Sequence, residues 1–416
     1  MNVLFDATWI AKNINHKVMH GGLRVAYELA KHLLKRNDIN TFLTHTSLQK
    51  IDTQHLHQFL EKECLTKTTS PNNKKNDIIR ANTPNIVNYT ADIQQKVMGF
   101  HRIHAILLKY TNFIEKQQLS DINVYHAPVE AIPKRIHQHQ HIKPFFTALD
   151  LIPFVKPEFA PKDLNQLLKP AYDSINENTI VLTISQSTKN DLLNYRKDLT
   201  ENQVIVTHIA ADKDIFYQNT DQTQKQTVMK KYDINFENYF FALNRIQKYK
   251  NTEHVIKCFC KFISQNNLHS DVGLVLVGTH HENPNFADLI KQYSKSVKIK
   301  WINYVEDADL SVIYSNAMCF SYMSLYEGFG LPILEAMQCG VPIVCSNTSA
   351  MPEVIGDAGL CIDPTDEDLL CQSMLNIYQN QTLRETLIQK GLKRSKQFSW
   401  EKYTDDVIQS YKKYAK

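Results

Sequence analysis

Between Ser324 and Gly340 the chain reads Ser-Leu-Tyr-Glu-Gly-Phe-Gly-Leu-Pro-Ile-Leu-Glu-Ala-Met-Gln-Cys-Gly, which places two carboxylates, Glu327 and Glu335, around the glycine-flanked Phe329 with seven residues between them. Carboxylates accept hydrogen bonds from hydroxyls, whereas the free N–H groups at a helix start attract anions. Pro332 suits a first helical turn, where its missing N–H costs nothing, and Gly340 suits the left-handed position just past a helix end. A helix of about two turns therefore lies between them, and Gly328, Phe329 and Gly330 form the tight loop that feeds its N-terminus. Helical side chains lean toward the N-terminus, so Glu335 projects back past this loop while Glu327 stands on the chain entering it. The result is a phosphate cradle with an acid on either flank. A ligand with hydroxylated rings on both sides of a diphosphate fits that description, and a sugar nucleotide is such a ligand. The plainer readings are an acid stabilised by a helix dipole and an ordinary loop; each holds for one feature alone and accounts poorly for the combination.

Glycine usage strengthens the assignment. Only 11 of 416 residues are Gly, against roughly 7% on average, yet Gly328, Gly330, Gly340, Gly356 and Gly359 fall close together. A second constellation lies upstream, where the apolar run Tyr239 to Leu243 ends in Asn244 and Arg245, with Lys250 and Asn251 following. A strand that delivers Arg and then Lys to one edge suits a diphosphate leaving group, because Arg forks across two phosphate oxygens and Lys acts as a point charge.

These residues resemble the retaining glycosyltransferases of family 4, whose signature is Ser-x-x-Glu-Gly-Phe-Gly-Leu-Pro-x-Leu-Glu-Ala-Met-x-x-Gly-x-Pro-Val. The likeness continues through Val341 to Val344, Ser346-Asn347, Met351 to Val354, Gly356 to Gly359 and Asp363-Pro364. Upstream, Val305 to Leu310 and Ile313 to Ala317 are similar to the loop and helix that close over the nucleotide base. Arg245 and Lys250 resemble the family's Gly-Arg-x-x-x-x-Lys-Asn, with Asn244 in place of the usual Gly. In the first half the likeness is looser: Asn2 to Asp6 reads as a strand, and Gly21-Gly22-Leu-Arg24 resembles a turn that lies against the donor phosphate. That turn opens a helix with Val25, Leu29 and Leu33 on one face. Val124 to Pro128, Thr147 to Pro153, Thr183 to Asp191 and Ala211 to Phe216 follow in the family's order.

The resemblance implies an α/β protein of GT-B architecture, two doubly wound Rossmann-like domains facing a central cleft. It implies retaining, metal-independent transfer of a hexose or deoxyhexose (mannose, rhamnose or glucose) from a nucleoside diphosphate sugar to a glycan or lipid-linked acceptor, as in O-antigen or capsule synthesis. Glu327, Arg245 and Lys250 are the implied catalytic residues. Gly22, Asp150, Gly278, Gly328, Phe329, Gly330, Leu331 and Glu335 are the implied donor contacts. No cofactor beyond the donor is expected. One departure is Leu149, where many relatives carry a His that contacts the transferred sugar. Leu cannot make that bond, so either the sugar differs, a deoxysugar for example, or another residue such as His126 takes over. A nucleotide-sugar epimerase on the same fold and a non-catalytic nucleotide or carbohydrate binder are the competing readings.

A length of 416 residues calls for more than one domain. The polar run Gln218 to Gln226 marks the expected boundary, giving domains at 1–217 and 218–398, with a terminal helix over 399–416 that crosses back to the first. Apolar stretches at Leu274 to Val277, Lys298 to Ile302, Cys319 to Tyr322 and Ile343 to Cys345 alternate with helical patterns, as in parallel doubly wound sheets. Arg245, Gly278 and Glu327 fall at strand carboxyl ends, where such sheets bind ligands. Eight cysteines show no Cys-x-x-Cys spacing and read as reduced core residues of a cytoplasmic protein. No leader and no run of about 18 apolar residues is seen, so neither export nor spanning is expected. A net charge of +4 does not call for nucleic acid. From Gln95 to Leu119, Val97, Phe100, Ile103, Leu107, Tyr110 and Ile114 recur at helical spacing among His101, Arg102, His104 and Lys109. That pattern suits a core helix with a solvated basic face, or peripheral contact with the inner membrane. His137, His139 and His141 alternate before Pro144 but lack the fourth ligand that a metal site wants. Asp307 and Asp309 precede a helix and are expected to cap it.

Overall fold

The computed structural model describes residues 1–13, 21–44, 119–243, 247–268, 272–278 and 286–415. Its twelve described strands are β1 (Asn2–Asp6), β2 (Asn40–Thr44), β3 (Val124–Pro128), β4 (Lys143–Ala148), β5 (Ile180–Thr183), β6 (Val204–Val206), β7 (Asn238–Leu243), β8 (Val272–Val277), β9 (Lys298–Ile302), β10 (Cys319–Tyr322), β11 (Ile343–Ser346) and β12 (Leu360–Ile362). They form two six-stranded sheets in the orders β2-β1-β3-β4-β5-β6 and β12-β11-β10-β7-β8-β9. Every described pairing is parallel.

Side chains alternate across a strand, and both faces of these sheets are covered, which is why the strands read as unbroken apolar runs. In β7, Tyr239 and Phe241 face one core cluster while Phe240 and Ala242 face another. In β1, Val3 and Phe5 enter the first of these, and Leu4 enters a third on the opposite face. The cluster shared by Phe5, Phe216, Phe241, Trp400 and Tyr411 runs without interruption from one sheet to the other.

Strand order reverses at one point in each sheet, between β1 and β3 in the first and between β7 and β10 in the second. Ligands of open α/β sheets bind outside the strand carboxyl ends at such points. The segments after β7 and β10 carry Lys250 and Glu327.

Within the polar run that begins at Gln218 a helix spans Gln222–Lys231, capped by Asp221, whose carboxylate accepts from Thr223 N at 2.8 Å and Gln224 N at 3.1 Å. Val228 is its one buried residue, too little apolar signal for periodicity to reveal. Asp307 and Asp309 do not cap the Asp307–Ser315 helix, since Glu306 holds the N-cap position with no side-chain bond. Asp309 instead accepts from Lys231 Nζ at 2.7 Å and Tyr232 OH at 2.8 Å.

The Trp400–Tyr414 helix, capped by Ser399, lies against the first sheet and the Gly21–Lys35 helix. Tyr411 OH meets His126 Nδ1, its ring sits 4.8 Å from Phe145, and Lys412 Nζ reaches Asp38 at 2.7 Å. The seven described cysteines are free, and Cys64 lies outside the described residues. His137 Nε2 donates to Ser174 O and His141 Nε2 to Leu119 O, both at 2.9 Å, so hydrogen bonds to backbone carbonyls hold these rings. Among the described residues no helix is long and apolar enough to cross a membrane. The basic amphipathic stretch, residues 95–118, lies outside the described residues.

Candidate active site

Lys250 ends the short Lys248–Lys250 turn after β7, and Glu327 follows β10. The two segments are tied by Leu325 N donating to Tyr249 O at 2.7 Å. This brings Lys250 Nζ to 2.6 Å from Glu327 Oε1, which also accepts from Tyr322 OH at 2.7 Å. Glu327 N donates to Ser349 Oγ at 2.9 Å, so its backbone is held as well. Burial alone would pull the Lys250 ammonium down, but Glu327, Tyr322 and Tyr249 outweigh it and hold the group well above its usual range. The lysine is therefore a fixed positive charge at the switch point of the second sheet.

The first sheet closes against this spot. Gly328 packs on the turn after β4: a Cβ there would lie 2.6 Å from Leu149 O and 2.7 Å from Asp150 Cβ. Its carbonyl accepts from Ser185 Oγ at 2.6 Å and Thr188 Oγ1 at 3.1 Å, both in the segment after β5. Asp150 is half-buried beside Glu327, with Oδ1 accepting from Ile152 N at 3.0 Å and its own carbonyl accepting from Tyr172 OH at 2.6 Å. Burial pushes its carboxyl up to about 6, with the Ile152 N–H opposing and the Glu327 charge adding to the rise.

The third element is the Leu331–Gln338 helix, which starts at Gly330 with φ 100° and ψ 47°. That left-handed geometry favours glycine, and Gly340 at φ 67° ends the helix in the same way. Glu335 is buried, 3.9 Å from Arg24 Nη1 and 3.2 Å from Tyr314 OH. Burial pushes its carboxyl up to about 7, against the pull of Arg24 and Tyr314. Arg24, from the helix after β1, also faces Asp307 at 3.5 Å and lies 5.8 Å over the Phe216 ring. Gly21 and Gly22, the first residues of the Gly21–Lys35 helix, fit between Leu331 of the second half and Leu149 and Trp9 of their own, where a Cβ on Gly22 would overlap both of the latter. Gly278, at the end of β8, has its carbonyl engaged by Trp301 Nε1 at 2.9 Å.

Residues 224–394 match the family model of the glycosyl transferases group 1. Over 294 residues, 70% of this chain and 74% of the other, the sequence is 32% identical to the O-antigen chain mannosyltransferase B of Escherichia coli. The chain belongs to the group 1 glycosyl transferases. A glycosyltransferase from Rickettsia africae superposes with a TM-score of 0.67 at 18% identity, over 100% of this chain and 98% of that one. Anabaena HepE, solved with UDP-glucose, superposes with a TM-score of 0.65 at 13% identity, over 99% and 100%. These structures share the GT-B arrangement of two parallel-sheet halves.

For a group 1 glycosyl transferase, the structure gathers Lys250, Glu327, Gly328 and Asp150 at one place, and sets Leu331 beside Gly21 and Glu335 beside Arg24. Arg245 and Asn244 lie outside the described residues. The Phe329 ring is 3% exposed and packed near His208 and Phe398 at 6.2 and 6.0 Å, so the loop presents its backbone rather than this ring. One sequence expectation needs correction. His126 cannot stand in for the missing histidine, since it is sealed between Tyr411 and Thr147 Oγ1, and burial lowers its ring to about 3. Tyr322 and Trp9 are the residues that sequence reasoning left unassigned, and Arg24, which the sequence sets against the donor phosphate, faces Glu335 and Asp307 in the unliganded chain.

Proposed function

We propose that this chain is a retaining, metal-independent glycosyltransferase that moves a hexosyl group, mannosyl foremost, from a nucleoside diphosphate sugar to a hydroxyl of a glycan or lipid-linked acceptor on the cytoplasmic side. The Lys250–Glu327 pair at the switch point, beside the glycine loop and a helix start, is the observation that carries this reading. The E. coli relative named for O-antigen mannosyl transfer supports the sugar and acceptor class. HepE, solved with UDP-glucose on this fold, supports the donor class.

In this reading the diphosphate takes the N-terminus of the Leu331–Gln338 helix together with Lys250 and Arg245. Negative charge that develops on the departing phosphate is met by Lys250, a cation already held in place by Glu327, which is where fixed electrostatics lowers a barrier most. Glu327 keeps Lys250 aligned and offers its remaining oxygen to a sugar hydroxyl. Glu335 turns from Arg24 to the ribose hydroxyls, and closure of the two halves keeps water from the donor.

The test is transfer from GDP-mannose, UDP-glucose and dTDP-rhamnose to a mannose-terminated oligosaccharide, with the anomeric configuration of the product read by NMR. Removing one member of a buried ion pair strands the other, at about 3–5 kcal/mol; Glu327→Gln also leaves the Lys250 charge uncompensated but keeps an acceptor oxygen for Lys250 and Tyr322, so it is more informative than Ala. Its transfer rate is expected to fall about 10²–10³-fold, with melting followed in parallel. Wild-type turnover in both Glu327→Gln and Lys250→Ala would make the site assignment wrong. Donor conversion that needs no acceptor would point to epimerisation instead.

A further inference from the structure

We propose that Asp191 and Tyr326 are positioning residues for Glu327, forming the link through which the first half of the molecule sets the place of that acid. The inference rests on the transferase reading and goes past it, because neither residue belongs to the donor contacts or the catalytic set described above.

Glu327 stands in the second half, yet the first half holds the chain on both sides of it. After β5 the chain enters the Gln186–Tyr195 helix, capped by Ser185, whose Oγ accepts from Thr188 N at 3.0 Å. Residues three apart share a helical face, so Ser185, Thr188 and Asp191 form one polar strip. Across the seam, Gly328 O accepts from Ser185 Oγ at 2.6 Å and Thr188 Oγ1 at 3.1 Å. Tyr326 OH lies 2.8 Å from each carboxylate oxygen of Asp191. At the start of the same helix, both oxygens of Glu353, from the second half, accept from Gln186 N at 2.9 Å. Tyr326 and Gly328 are therefore tied to one helix of the first half, and the residue between them is Glu327.

The second half supplies the other anchors. Lys250 Nζ and Tyr322 OH hold the Glu327 side chain, and Ser349 Oγ accepts from its N–H. These contacts orient the acid toward the donor cradle, whereas the bonds to Tyr326 and Gly328 fix it against the half that closes over the donor.

The chemistry of the link suits positioning better than packing. Asp191 is half-buried, and burial raises its carboxyl against the pull of Tyr326 and Lys156, so its charge is disfavoured where it stands. An apolar pair would join the halves without that cost. Burial and Asp191 hold the Tyr326 hydroxyl above its usual range, so it stays protonated and donates. A carboxylate that receives one hydroxyl fixes a direction as well as a distance, and direction is what a side chain one residue away needs.

Tyr326→Phe removes one oxygen and keeps the ring. Its kcat is expected to fall about 10- to 100-fold, the scale of a misplaced reacting group. Asp191→Ala is expected to fall by a similar factor, and Asp191→Asn, whose amide oxygen still accepts from Tyr326, to regain most of the loss. The decisive step repeats Tyr326→Phe on Glu327→Gln. If the link acts through Glu327, the added loss there is below about threefold, because residues that act as a unit are not additive; an independent structural contact costs the same factor in both backgrounds. A Tyr326→Phe chain within about tenfold of wild-type kcat overturns the proposal. So does an equal loss in both backgrounds, or an Asp191→Asn chain as slow as Asp191→Ala. If Asp191→Ala does not fold, Tyr326→Phe and its combination with Glu327→Gln decide. Those outcomes leave the transferase reading standing. A wild-type chain that transfers no sugar, or wild-type turnover in both Glu327→Gln and Lys250→Ala, sinks that reading and this link with it, and is scored first.

Discussion

Glu335 sits in surroundings far from those of a solvated acid. Sequence spacing aims it at ribose, whereas in the unliganded chain it faces Arg24 and Tyr314 from a buried position. Its carboxyl ordinarily titrates near 4.5 and is pushed to about 7 here. The folded chain therefore holds a proton that the unfolded chain has already lost across that window. Stability is full below about 4.5 and falls as pH rises through about 7, by on the order of 3 kcal/mol. Glu335→Gln stays neutral throughout, so urea titrations at a series of pH values should show a smaller loss for the variant than for wild type. Equal slopes would mean that another group carries the dependence. Because the ligand's ribose would replace Arg24 as the partner of Glu335, the same substitution should also weaken donor binding.

At the scale of elements, the close meeting of the β4 turn with the glycine loop is decisive. Gly328 has no positive φ to require glycine, so Ala suits its own backbone; what a Cβ meets is the carbonyl of Leu149 and the Cβ of Asp150, neither of which is a flexible side-chain end. Gly328→Ala should therefore push the two halves apart locally. We expect a transfer rate down by at least tenfold, about the cost of misplacing reacting groups, with a melting temperature that changes little. A large melting shift with unchanged kcat would show that the contact serves stability alone. Much of this level was legible in sequence. The β10 strand, the helix opened by Pro332 and closed by Gly340, and the amphipathic helix that begins at Gly21 all announce themselves through apolar runs and special residues that act locally. The neighbours of Phe329, His126 and Arg24 were not legible, because they depend on which side chains the two halves bring together across long sequence separations. A histidine in β3 looks available until Tyr411 covers it.

At the scale of the whole molecule, the shared core cluster and the terminal helix couple the two sheets. Tyr411, from the last helix, is fully buried in the first half, with its ring on Phe145 and its hydroxyl on His126. If the halves were independent, heating would unfold them in two steps, but the continuous cluster predicts that calorimetry shows one. Tyr411→Ala removes a large buried ring, a loss of about 3–5 kcal/mol, and should lower the midpoint of that single transition. Tyr411→Phe keeps the ring and strands one nitrogen of His126, for a smaller loss of about 1–3 kcal/mol. The acid side provides an independent check. Burial lowers His126 from 6.5 to about 3, so the stability that comes from keeping it neutral is present above about 6.5 and is lost as pH falls toward 3. With its hydroxyl partner gone, that acid loss should begin from a lower starting stability in Tyr411→Phe, and the variant should unfold at a higher pH than wild type. An acid midpoint that stays put, or a second calorimetric transition in the wild-type chain, would mean that the terminal helix does not join the two sheets into one cooperative unit.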